Sequence, residues 1–163
     1  MTGRRRLVVL AVVAVAVGLG YAAWHVYGGS QTEQCYACQR VVHAHMRTMA
    51  MINGKPRVFC CPACALSEHQ QEGKPIRITE LTAFLTGGKL SPNQAFVVKG
   101  SDVNMCARTQ ELIDADKRPA ELRYDRCAPS LLAFAQRSEA AEFARVHGGE
   151  VLLFSELASA FGQ

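Results

Sequence analysis

The chain has 163 residues, with 18 basic and 14 acidic side chains and a formal net charge of +4. Three of the basic residues, Arg4 to Arg6, are adjacent, and without them 15 basic residues face 14 acidic ones. This nearly neutral remainder excludes the basic surface that nucleic-acid binding requires. The sequence also contains no phosphate-binding loop, nucleophile elbow or paired carboxylate motif, so we do not expect an enzyme.

An uncharged apolar segment from Leu7 to Trp24 follows the three arginines. At about 1.5 Å per residue, a helix of this length nearly crosses a bilayer core of about 30 Å. Cationic residues remain on the cytoplasmic side of membranes, so the chain after Trp24 is expected outside the cytoplasm. We therefore predict a single-pass transmembrane anchor and linker over residues 1–30. A cleaved signal peptide is the alternative.

The remainder contains two similar segments. IRITELTAFL, from Ile76, and LLFSELASAF, from Leu152, place Glu80 and Glu156 alike, and the same offset superimposes Gly73 on Gly149. A helical pattern precedes each glycine, and strand-like runs precede each helix: Val41–Ile52 and Arg57–Cys60 in the first copy, Ala95–Lys99 and Glu121–Tyr124 in the second. We therefore predict an α+β protein, with two ββαβ repeats after the transmembrane helix. The first repeat, cysteine-rich and metal-binding, spans residues 31–90, and the second spans 91–163.

Asn53 and Gly54 separate two strand-like runs, which is a strong signal for a two-residue hairpin. Such a loop places residues whose numbers add up to 107 opposite each other, so Met46 faces Cys61. Diagonal neighbours across the same hairpin bring His45 within reach of Cys60. Ala50 and Ile52 share the face with Met46 that is predicted to be core.

Seven cysteines are present, an odd number that cannot all pair within the chain. Five of them lie within thirty residues, in the pattern CYAC … FCCPAC, and are the candidate metal ligands: Cys35, Cys38, Cys60, Cys61 and Cys64. Two CxxC turns can offer four thiolates to one ion, and a set of Cys38, Cys60 and Cys64 fits equally well. Whether Cys60 or Cys61 is the inner ligand stays open. For Cys106 and Cys127 we favour a disulfide, because the exterior is oxidising.

Thiolate, thioether and imidazole ligands together suit Cu(I), while four thiolates alone suit Zn(II) equally well. His45 and Met46 add nitrogen and thioether to the predicted sulfur cluster, so we expect Cu(I), with Zn(II) as the alternative. The cysteines are also compatible with two other functions: a periplasmic thiol–disulfide oxidoreductase that uses a CxxC pair, and an interaction module whose fold is held by disulfides or zinc.

AFVVKGSDVNMC, from Ala95, and PSLLAFAQRSEAAEFARVHGGEVLLFSEL, from Pro129, resemble segments of the nitrous oxide reductase accessory protein (NosL) family. These are membrane-attached copper-binding proteins of the bacterial periplasm. The resemblance covers residues 35 to 161 and implies paired ββαβ repeats and an inner-membrane copper metallochaperone. Its partner is then a client cuproenzyme or a membrane copper-delivery complex. Met105 matches the family's methionine, whereas Ala37 and Arg40 replace two others, and the family's lipoprotein cysteine is absent.

The first half separately resembles the TRASH-type metal-sensing knuckle. The matching pattern is Cys38-x21-Cys60-x3-Cys64, with the aromatic Phe59 before the second cysteine. This resemblance makes Cys38, Cys60 and Cys64 the sharper ligand set.

Overall fold

The structure, a computed structural model, describes residues 2–28, 32–73, 75–107, 116–117 and 125–161. It consists of two compact units, Met1–Thr32 and Glu33–Gln163. The first unit contains the helix α1 (Thr2–Gly28), in which the valine and leucine side chains from Val8 to Leu19 are each more than half exposed. Within the described part of the chain, no helix combines the length and apolarity that a membrane crossing requires. The anchor over residues 1–30 remains a prediction from the sequence.

The second unit mixes helices and antiparallel sheets, which confirms the predicted α+β class. Its elements in chain order are a short 3₁₀ helix (Ala44–Met46), β1 (Thr48–Ile52), β2 (Lys55–Phe59), α2 (Pro62–Glu72), β3 (Ile76–Thr82), β4 (Lys89–Leu90), β5 (Phe96–Lys99), β6 (Leu131–Phe134), α3 (Arg137–His147), β7 (Glu150–Leu153) and α4 (Phe154–Ala160).

The two sheets share one strand arrangement. Their orders are β2-β1-β3-β4 and β6-β5-β7, so in each the first strand of a β-β-α-β series is central and the second and last strands flank it. The sheets meet where Ala83, after β3, bridges to Ala133 of β6, and the Phe84 N–H donates to the Ala133 carbonyl at 2.7 Å. The strand predicted at Glu121–Tyr124 lies outside the described residues, and β6 is the strand that follows β5 and pairs with it before α3.

The predicted hairpin register is confirmed, with Met49 opposite Val58 and Ile52 opposite Lys55. Asn53 and Gly54 have φ angles of 50° and 75°, which the favoured two-residue turn requires. The predicted core face is also confirmed, because Ala50 and Ile52 are buried. The first predicted strand is shorter than expected, since residues 44–46 form the 3₁₀ helix instead.

The junction between β2 and α2 positions three cysteines, Cys60, Cys61 and Cys64. β2 ends at Phe59, which is fully buried, and α2 begins at Pro62, whose fixed φ suits the first helical position. Cys61 is the N-cap, and the left-handed Gly73 ends the helix. Cys60 and Cys61 therefore lie in the connection, and Cys64 lies in the first turn of α2.

Gly149 packs closely against β5 at the base of the segment that leads to Cys106. A Cβ at this position would lie 2.8 Å from the Lys99 carbonyl oxygen, while one at Gly148 would have nothing within 4 Å.

Both glycines have positive φ, so Gly148→Ala should lower the free energy of unfolding by about 1 to 2 kcal/mol. Gly149→Ala should cost about 1 to 3 kcal/mol more, because the backbone must move. Chemical denaturation of the two variants checks this, and equal costs would contradict the close approach.

Candidate metal centre

All seven cysteines are free thiols, and six of them are buried, with Cys38 partly exposed. They come from separate parts of the second unit: the turn at residues 35–38, the β2–α2 junction, and two segments around Cys106 and Cys127. The fold thus gathers in one place thiols that lie up to 92 residues apart in sequence (35 to 127).

The first group consists of Cys35, Cys38, Cys60 and Cys64, whose Sγ atoms all lie within 4.8 Å of one another. The Cys35–Cys64 and Cys38–Cys60 Sγ distances are 3.6 and 3.5 Å. Sulfur ligands at about 2.3 Å from a tetrahedral ion are separated by about 3.8 Å, whereas a disulfide requires about 2.05 Å. The spacing of the first group therefore suits a shared metal ion.

The turn that carries Cys35 and Cys38 is fixed to the hairpin. The Tyr36 N–H donates to the Val58 carbonyl at 2.8 Å, and the Tyr36 ring lies edge-on to Phe59 at 5.8 Å between centroids. Within the turn, the Gln39 N–H donates to the Cys35 carbonyl at 3.0 Å. The first group is thus built on a rigid strand pair.

Cys60 and Cys61 are adjacent but have different environments. The Cys61 Sγ accepts a hydrogen bond from the Cys64 N–H at 3.4 Å, as the cap of α2. The Cys60 Sγ faces the cluster, 3.5 Å from the Sγ of Cys38 and 3.5 Å from that of Cys127. The geometry favours Cys60 over Cys61 as the inner ligand.

A second group adjoins the first and shares Cys60 with it. The Sγ atoms of Cys60, Cys61 and Cys106 lie within 4.8 Å of one another. The Met46 Sδ lies 4.0 Å from the Cys106 Sγ, and Cys127 contacts Cys60 as described above. Met46, predicted as a ligand from the hairpin register, therefore lies beside the second group.

Asn104 joins the two segments that carry Cys106 and Cys127. Its side-chain amide donates to the Cys127 carbonyl at 2.9 Å, and its side-chain oxygen accepts from the Cys106 N–H at 3.2 Å. The Asp125 carboxylate accepts from the Cys127 N–H at 2.9 Å. The two cysteines are consequently held as one local unit.

Two ion pairs attach this unit to the first repeat. Arg40 makes a bidentate pair with Asp125, both distances 2.9 Å, and also donates to the Cys106 carbonyl. Arg126 pairs with the buried carboxylate of Glu68 on α2. A bidentate arginine–carboxylate pair such as Arg40–Asp125 fixes orientation as well as distance. The two residues that precede Cys127 are thus both bound to the repeat that carries the first group.

The thiols perturb one another's ionisation. Hydrogen bonds from the thiols of Cys38, Cys60 and Cys64 lower the pKa of Cys35, and those from Cys106, Cys38, Cys60 and Cys61 lower the pKa of Cys127. The pKa of Cys60 is raised, chiefly through Cys106, and that of Cys38 is raised to about 11, chiefly through Cys127. Ligation of a metal ion by the thiols whose pKa is raised would release their protons.

Two predicted ligands belong to neither group. The His45 Nδ1 lies 2.7 Å from the Phe84 carbonyl oxygen, because the 3₁₀ helix replaces the strand that was to bring His45 toward Cys60. Met105 precedes Cys106 and has an exposed fraction of 46%. The roles of His45 and Met105 as ligands stay predictions.

Sequence reasoning missed that Cys106 and Cys127 join the cluster. It favoured a disulfide between them, but both are free thiols in the structure. The odd number of cysteines was the available signal, since it already indicated that pairing could not account for all of them.

The fold and the sulfur atoms together define a protein with a buried, thiol-rich candidate metal site on paired ββαβ sheets. No family model matches the chain, and no curated protein is similar to it in sequence. Among solved structures, the chain is similar to the copper chaperone NosL from Shewanella denitrificans, with a TM-score of 0.51 and 13% identity over 78% of this chain and 90% of that one. The resemblance inferred from the sequence is confirmed at the level of the fold.

Arg40→Ala should loosen the unit that carries Cys106 and Cys127. Loss of one partner from a largely buried ion pair should lower the free energy of unfolding by about 2 kcal/mol, after allowance for the partial exposure of Arg40. Arg47→Ala is the matched control, because Arg47 pairs with the more exposed Glu33 and its loss should cost less than about 1 kcal/mol.

Alkylation of the reduced protein, read by peptide mass spectrometry, gives a second measurement. Arg40→Ala should speed the labelling of Cys106 and Cys127, while Arg47→Ala should not. Unchanged labelling in Arg40→Ala would show that the ion pair does not hold the unit.

Proposed function

We propose that this protein is a copper metallochaperone that binds Cu(I) through the first group and delivers it for the assembly of a cuproenzyme. The observation that carries the proposal is the convergence of four Sγ atoms, from Cys35, Cys38, Cys60 and Cys64, within 4.8 Å of one another. The shared fold with a copper chaperone supports it. Within the group, Cys60 is the inner ligand and Cys61 caps α2.

The choice of Cu(I) over Zn(II) rests on the ligand types around the group. A zinc site is complete with four ligands, and the first group alone would supply them. Further soft sulfur adjoins the group, however: the thiols of Cys106 and Cys127 lie near Cys60, and the Met46 thioether lies beside Cys106. Thioether and thiolate together favour Cu(I).

We further propose that α1 attaches the protein to the inner membrane and that the second unit lies in the periplasm. The support comes from the sequence: Arg4 to Arg6 precede the uncharged segment from Leu7 to Trp24, as in segments whose positive end stays in the cytoplasm. A client cuproenzyme, or a membrane copper-delivery complex, is then the partner of the second unit.

An oxidoreductase fits the site less well. Such an enzyme needs a cysteine that is both exposed and of low pKa. Here the cysteines with lowered pKa, Cys35 and Cys127, are buried, while the partly exposed Cys38 has a pKa raised to about 11. A low pKa and an exposed side chain therefore occur in different cysteines.

The partial exposure of Cys38 indicates the route by which Cu(I) would leave the first group. Transfer between thiol sites proceeds by ligand exchange, in which an incoming sulfur binds the metal before an outgoing one departs. Cys38 is the partly exposed member of the seven, so we propose that partners approach the ion on its side.

Copper binding and its ligands are tested on the full chain, purified in detergent and kept anaerobic and reduced. Competition with a chromogenic Cu(I) chelator should show tight binding. Cys60→Ser and Cys64→Ser should weaken the tightest site by more than about 100-fold, since even outer-sphere changes cost 10- to 100-fold. Cys61→Ser is the matched control, because serine is a preferred N-cap and the first group stays intact. No Cu(I) binding by the reduced protein, or equal losses in Cys60→Ser and Cys61→Ser, would contradict the proposal.

The exchange route is tested by the kinetics of transfer to an acceptor thiol. The wild-type rate should rise in proportion to the acceptor concentration, because the acceptor attacks on the Cys38 side. In Cys38→Ser that dependence should be lost, whereas Cys35→Ser should keep it. A rate independent of the acceptor in the wild type would rule out exchange at Cys38.

A further inference from the structure

The sulfur atoms around Cys60 outnumber the ligands of one ion. Seven thiols and the Met46 thioether form a continuous cluster in the described structure, whereas a single metal ion of this kind is held by at most four protein ligands. The first group accounts for four of the eight sulfur atoms. Of the remaining four, Cys61 and Cys106 group with Cys60, the Met46 thioether lies beside Cys106, and Cys127 contacts Cys60.

Cys60 is placed to bridge the two sides. Its Sγ lies 3.5 Å from the Sγ of Cys38, in the first group, and 3.5 Å from that of Cys127. It also lies 4.0 Å from the Cys61 Sγ. All three separations are close to the spacing of about 3.8 Å expected for sulfur atoms on one ion. A thiolate has lone pairs for two metal ions, so Cys60 can belong to two coordination spheres at once.

Resting on the function proposed above, we infer that the second group is a second Cu(I) site. Its ligands come from Cys60, Cys61 and Cys106, with the Met46 thioether beside Cys106 and the Cys127 thiol beside Cys60, and the Cys60 thiolate bridges the two ions. Each thiol that ligates releases its proton to solvent, and copper remains Cu(I) throughout. The chain therefore carries a polynuclear Cu(I)–thiolate cluster, and its second ion ties the segments of Cys106 and Cys127 to the first repeat.

The test is the copper stoichiometry of the full chain, reduced and anaerobic in detergent, loaded with excess Cu(I) and separated from unbound metal. Native mass spectrometry should show at least two copper ions per chain. Emission should accompany loading, since polynuclear Cu(I)–thiolate clusters shielded from solvent luminesce. Cys106→Ser should reduce the count to one ion and abolish the emission, while the tightest site keeps its affinity.

A second pair of variants, with more conservative substitutions, distinguishes loss of the second ion from misfolding of Cys106→Ser. Met46→Leu should weaken the second ion by about 10-fold, whereas Met51→Leu, a methionine on the opposite face of the hairpin, should leave both ions unchanged. A single copper ion in the wild type, or two that persist in Cys106→Ser, would overturn this inference and leave the proposed function standing. A reduced protein that binds no copper would overturn both.

Discussion

The structure depends on the packing of seven thiols against one another inside a single core. A protonated cysteine behaves as a small apolar side chain with a weak hydrogen-bond donor, so the cluster can be buried without a metal ion. The same sulfur atoms become strong ligands for soft metals once their protons leave. Most of the thiols are therefore expected to remain protonated until an ion arrives.

This packing constrains how the two repeats are joined. The first repeat supplies five of the cysteines and the second supplies Cys106 and Cys127. Those two reach the first repeat because Arg40 and Glu68 bind the two residues that precede Cys127, and because Asn104 connects Cys127 to Cys106. A metal ion in the second group would reinforce a junction that ion pairs and hydrogen bonds already establish.

Much of this arrangement could be predicted from local patterns. Asn53-Gly54 determined the hairpin register, and Pro62 marked the start of α2, because turn and cap chemistry depend on neighbouring residues. The offset of 76 residues between Glu80 and Glu156 also relates β2 to β6, and it would have indicated Leu131–Phe134 as a strand. The position of His45 could not be predicted in the same way, because the 3₁₀ helix that displaces it breaks the strand pattern. The approach of Cys127 to Cys60 could not be predicted either, because it depends on ion pairs between residues far apart in sequence.

The likeness to the copper chaperone NosL extends over most of both chains at 13% identity, so the fold is shared while most side chains differ. In this chain the candidate site is made of sulfur, and whether copper is held by sulfur alone is the central question. Copper K-edge X-ray absorption on the anaerobic, Cu(I)-loaded full chain answers it most directly. We predict a first coordination shell of sulfur only, at about the 2.3 Å typical of metal–thiolate bonds. A shell dominated by nitrogen or oxygen would contradict the account.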